Sequence, residues 1–258
     1  MERETPQIAE QIRRDTGRGG PLSFWGRSRN TDELTNTTIV DPAVLQLLST
    51  VAGRPVHATR PHAGLQHTYG YLFSTILTKY GFKRDRWTES TIETGFGISP
   101  DILSPFPGDG TLLSNATWLS GQIAYRQIPR QLNRLNRFLK NKAAAELTST
   151  DTAWTDHSRL LERVSRTQNG SRRSWTLQTD LVTFPRNRQS SLLVYSIVDH
   201  RNDRHQLITL FPVGNTARRE LLQRSSAGRL QDIRLRYNAS IAALDHRLFT
   251  GTCRRKTF

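Results

Sequence analysis

The stretch 175–213 constrains the fold of this chain more than any other part of it. Residues 175–184 (WTLQTDLVTF) form a strand-like run, and 185–189 (PRNRQ) break it. A second run follows at 192–198 (LLVYSIV), rich in β-branched and aromatic residues. Residues 200–204 read as a turn, and 207–211 return. Short apolar runs bounded by turn residues mark antiparallel strands, so the spacing predicts a three-stranded meander. Further on, Ile233, Leu235 and Tyr237 alternate with Arg234 and Arg236. Alternation of period two predicts one more half-buried strand over 232–237, with a basic outer face.

Helical signals surround these strands. Residues 6–15 carry Ile8, Ala9 and Ile12 at helical spacing. Asp41-Pro42 opens a helix with Val44, Leu45, Leu47, Leu48 and Val51 on a broad apolar face, and Gly53 closes it. The strongest periodicity of the first half is in 65–80, which predicts one long helix. Helices are also expected from Pro129 to about 147, over 156–166 with Leu160, Leu161 and Val164 inward, and from 215 or 216 to 223. Residues 87–92 and 111–124 read as strand-like, and Gln168-Asn169-Gly170-Ser171 as a turn. The result is an α+β class: a mainly antiparallel sheet, made of the meander 175–213 and the strand 232–237, with helices packed on it. The 258 residues are expected to form a single unit with a soft boundary in the polar stretch 148–156.

Charge divides the chain at about its middle. Residues 1–120 hold 12 Lys+Arg against 12 Asp+Glu, whereas 121–258 hold 25 against 10, so the whole net charge of +15 belongs to the second part. An imbalance of this kind predicts an anionic partner, and the preponderance of Arg suits bidentate contacts to phosphate. Three groups of cations stand out. Arg130, Arg134, Arg137 and Lys140 follow one side of the helix predicted from Pro129. The meander carries Arg172 and Arg173 in its lead-in, Arg186 and Arg188 in its first connection, and Arg201 and Arg204 in its second. Arg234 and Arg236 project from the last strand. With Trp154, Trp175 or Tyr237 to stack on bases, these residues predict a protein that binds an anionic polymer, nucleic acid first, with an acidic peptide or protein as the other partner of that charge. The same patterns also serve solvated basic surfaces.

A second reading is an enzyme with its pocket in the neutral first part. His57, His62 and His67 recur at five-residue spacing in one loop and are candidate metal ligands. The Gly- and Pro-rich loop 95–110 contains Asp101 and Asp109 as candidate acids. A third reading is an accessory module that takes a peptide on a sheet edge. The sequence has no phosphate-binding glycine loop, no His-Glu-x-x-His and no Gly-x-Ser-x-Gly, so it implies no cofactor. A single cysteine, Cys253, excludes an internal disulfide and a cysteine-based zinc cluster. No run of about 18 apolar residues is present. With no apolar signal-like segment at the start, a cytoplasmic protein is the expectation.

Overall fold

The computed structural model describes residues 5–32, 35–57, 59–78, 81–100, 102–104, 111–139, 156–226 and 250–257. Helices α1 (Thr5–Thr16), α2 (Pro42–Val51), α3 (Thr91–Phe96), α4 (Leu112–Ala124) and α5 (Pro129–Phe138) precede the main sheet, and α6 (Asn215–Ser226) follows its first four strands. A small antiparallel hairpin, β1 (Leu77–Thr78) with β2 (Gly81–Phe82), interrupts the helical part. The main sheet contains β3 (His157–Gln168), β4 (Ser171–Thr183), β5 (Ser190–Asp199), β6 (Arg204–Gly214) and β7 (Thr250–Thr257), all antiparallel, in the order β6-β5-β4-β3-β7. The α+β class with a mainly antiparallel sheet is thus the architecture of the chain.

The meander is longer than its apolar residues indicate. It has four consecutive strands, and β4 begins at Ser171, so Arg172 and Arg173 are part of the ladder. Residues 156–166 are not a helix but most of β3, which Asn169-Gly170 joins to β4 in a two-residue turn with both φ positive, 49° and 73°. That is the primed turn that matches the twist of a hairpin. Residues 250–257 add β7 to the other side of β3.

The sheet is buried on both faces, because alternate residues of each strand enter different cores. Val182, Leu192, Val194, Leu207 and Leu210 pack with the helices of the first part. Leu181, Leu193, Tyr195, Ile197 and Phe211 form a second cluster with Leu221 of α6. Helix α4 lies over β4, β5 and β6. It is buried nearly all round: Leu112, Leu113, Ala116, Trp118, Leu119 and Ile123 are enclosed, and so are the polar Asn115, Thr117 and Ser120. Polar residues buried among the apolar ones leave no wet face to reveal the helical period, which is why 111–124 read as a strand. The side of β6 away from β5 is met by the first part of the chain: the Gly26 N–H donates to Leu207 O at 2.8 Å, and the Trp25 indole donates to Thr117 Oγ1 at 2.5 Å.

Two other expectations change. The apolar stripe of 65–80 is real, but it runs through a π-type turn (Leu65–Tyr69) and a 3-10 turn (Gly70–Phe73) rather than one long helix. In place of a strand at 87–92 there are a 3-10 turn (Arg84–Trp87) and α3. Helices α1 and α2 lie where the sequence places them, and Asp41 caps α2 by accepting the Ala43 N–H at 2.7 Å. Helix α5 ends at Phe138, and Lys140, the remainder of the helix predicted to 147, the boundary 148–156 except Asp156, and the strand 232–237 lie outside the described residues. Among the described residues no helix is long and apolar enough to cross a membrane.

Candidate functional site

Helix α5 starts where the chain leaves α4 through a turn at Tyr125–Ile128, with Pro129 in its first turn. Leu135 is fully buried and points at Gly121 of α4, where a Cβ would stand 2.5 Å from its Cδ2. This close approach fixes the rotation of α5. Arg130, Arg134 and Arg137, one and two turns apart, are thereby turned away from α4. They form one wall of a cleft of about 550 Å³, together with Ile128 and Gln131. The other wall comes from Val198, Asn202 and Asp203 at the β5–β6 turn, with His205 at the start of β6. None of the three arginines has an ion-pair partner among the described residues. The acid in the lining is Asp203. Arg134 stacks on Phe24 and Phe138, 5.4 and 5.7 Å from their ring centres, and Phe138 is 47% exposed.

His205 joins this cleft to a buried polar network. Its Nε2 pairs with Ser196 Oγ at 2.8 Å, and its ring meets Tyr125 edge-on at 4.8 Å. Its Nδ1 has no hydrogen-bond partner among the described residues. Burial lowers the imidazole pKa to about 4, with Asp180 acting against burial and Arg159 adding to it, so His205 is neutral at pH 7. Deeper in, Asp180 accepts from Arg159 Nε at 2.6 Å and Gln178 Nε2 at 2.7 Å, and meets His157 Nε2 at 2.7 Å. Arg159 also donates to the carbonyls of Ile123 and Ala124, which end α4. A guanidinium at that position satisfies free carbonyls and opposes the negative end of the helix dipole. Ser196 and His205 are spaced like a nucleophile and its base, but Ser196 is fully buried and no carboxylate among the described residues holds Nδ1 of His205.

The arginines singled out in the sequence separate into groups. Arg201 and Arg204 belong to the β5–β6 turn and so stand at the cleft end of the sheet. Arg172 and Arg173 are at that same end of β4. Arg173 is engaged, at 2.5 Å to Asp199 and stacked on Trp175, while Arg172 donates to Ser165 Oγ at 3.4 Å. Arg186 and Arg188 connect β4 to β5 at the opposite end, about 30 Å away along a ten-residue strand. There the Arg186 N–H donates to Gly95 O, and its side chain lies against Gly97. A meander reverses at each connection, so the two arginine-rich connections face apart. Arg234 and Arg236, like Trp154 and Tyr237, lie outside the described residues, and Trp175 is buried. What the sequence reading did not single out is Asn202, Asp203 and His205, and two arginines of the neutral part. Arg27 and Arg54, like Arg204, act on His62, whose pKa falls to about 4, chiefly through burial.

The three histidines do not share a site. His57 is exposed, His62 Nε2 meets Leu22 O at 3.1 Å, and His67 Nε2 meets Ser28 Oγ at 2.9 Å. Among the described residues no group of three His, Cys, Asp or Glu stands close enough to hold a metal ion. Asp101 and Asp109 lie outside the described residues. No protein-family model, curated protein or solved structure matches the chain.

Proposed function

We propose that the chain binds an anionic polymer, nucleic acid first, along the cleft between α5 and the β5–β6 turn. The reading rests on one observation: Arg130, Arg134 and Arg137 converge on a single cleft with no ion-pair partners among the described residues. Exposed cations held at i, i+4 and i+7 match a ligand with charge repeated along its length. Phe138, half exposed beside Arg134 and Arg137, offers an aromatic face for an unpaired base, which favours single-stranded segments over a closed duplex. A small ligand of one charge would leave most of these cations unused.

The test is fluorescence anisotropy of labelled single- and double-stranded oligonucleotides over a salt series from about 50 to 200 mM. Three phosphate contacts predict a slope of log affinity against log salt of about −2 for a single strand. Arg134→Ala or Arg137→Ala is expected to reduce that slope by about one, and Phe138→Ala to weaken the single strand more than the duplex. Binding that ignores salt, or that the arginine variants leave unchanged, removes the proposal. Preference for a poly-glutamate peptide over every oligonucleotide moves it to an acidic protein partner.

A further inference from the structure

Arg86 occupies a position that nothing in the cleft explains. It follows the β1–β2 hairpin in the turn Arg84–Trp87 and is only 8% exposed. Its guanidinium is held between two rings, 4.9 Å from the centre of Tyr71 and 4.8 Å from that of Phe211. One nitrogen, Nη1, donates to Thr209 Oγ1 at 3.0 Å. A guanidinium carries five N–H donors in a planar fork, and buried arginines are ordinarily paired with acids. Arg86 has no ion-pair partner among the described residues. Burial lowers its pKa to about 10, and the opposing influence comes from Tyr71 rather than from a carboxylate. The nearest acid in sequence, Asp85, is turned to Arg84 at 3.3 Å.

The guanidinium does not face solid protein. It lines a cavity of about 170 Å³ together with Thr78, Lys83, Asp85, Glu89 and Thr91. We propose that this cavity binds a compact carboxylate, received by the planar fork of Arg86 with Lys83 beside it. Two stacked rings hold the fork in place, and a pre-oriented fork recognises two coplanar oxygens better than a point charge does. The volume admits a molecule of a few heavy atoms. Asp85 and Glu89 in the same lining oppose a second negative charge and favour a neighbouring ammonium. A zwitterionic α-amino acid therefore suits the cavity better than phosphate. The site is on a different part of the molecule's surface chemistry from the arginine cleft, and it stands or falls without it.

Thermal unfolding with acetate, L-alanine or inorganic phosphate, against chloride at matched ionic strength, tests this. At ligand concentrations well above the dissociation constant the two carboxylates are expected to raise the melting temperature by about 3–6 °C, and alanine the more. Arg86→Met is expected to abolish that rise while melting no lower than the parent protein, because replacing an unpaired buried charge by an apolar side chain is neutral or stabilising. Lys83→Gln, in a less buried residue, is expected to reduce the rise by half or more and decides the matter if Arg86→Met does not fold. The proposal is overturned if neither carboxylate acts beyond chloride, if phosphate acts as strongly as they do, or if the rise survives in the variants.

Discussion

Asp180 shows how much of this molecule depends on single polar side chains. It is fully buried and is the shared acceptor for Arg159, His157 and Gln178. Removing one member of a buried ion pair leaves the other charged and unmatched, at a cost of about 3–5 kcal/mol. Asp180→Ala is therefore expected to lower stability by that amount in urea unfolding, and Arg159→Met in the same chain to restore a large part of it. Equal and additive losses would show that the two residues act separately. None of this was legible in the sequence. Arg159 lies in the stretch 156–166 that the spacing predicts as a helix and Asp180 in a predicted strand, and their pairing depends on the register Arg159↔Asp180. What single residues did declare was local: the Asp41 cap, and the Asn169-Gly170 turn, which needed no distant partner.

Helices and strands were legible where one face met water. The α1 and α2 stripes show this, while β5 and β6, buried on both faces, declare themselves instead as short apolar runs bounded by turn residues. An enclosed helix with polar residues scattered among apolar ones gives no such signal, as α4 shows. The run before Asn169-Gly170 carries Leu160, Leu161 and Val164, which suit a helix as well as a strand, and only pairing with β4 decides. The cleft was half legible: the α5 stripe was visible, its opposing wall was not. One contact governs how those walls stand, the approach of Leu135 to Gly121. A methyl group at Gly121 must push the buried Leu135 aside, so Gly121→Ala is expected to destabilise by about 1–2 kcal/mol despite the better helix propensity of alanine. The same variant displaces α5 and should weaken oligonucleotide binding several-fold, and Leu135→Val added to it should recover part of both. Unchanged affinity in Gly121→Ala would mean that α5 is not the binding wall.

For the molecule as a whole, buried imidazoles set the response to acid. His62 and His205 have pKa values lowered to about 4, and that of His67 lies well below the ordinary value of 6.5, in each case chiefly through burial. Between pH 6.5 and 4 the unfolded chain takes up these protons and the folded one does not, so stability falls as the pH falls, by up to about 3 kcal/mol for each of His62 and His205. Asp15 acts the other way. Burial raises its pKa to about 6, although Tyr69, Thr111, Ser114 and the Leu113 N–H all donate to it, so the folded state gains on acidification from pH 6 towards 4. Three imidazoles outweigh one carboxyl. The urea midpoint is expected to drop steadily from pH 7 to 4.5, and His205→Asn to flatten the drop; a rise over that range would mean that Asp15 dominates. The division of charge at mid-chain was legible from the start, but Arg27 and Arg54 cross it, because folding groups residues by place and not by order. Strand β7 shows the same thing on the largest scale. Its partner β3 is completed some eighty residues earlier, so a nascent chain emerging from the ribosome carries one unpaired ladder of amide and carbonyl groups until β7 arrives, a window in which a chaperone or a neighbouring copy competes for the same edge.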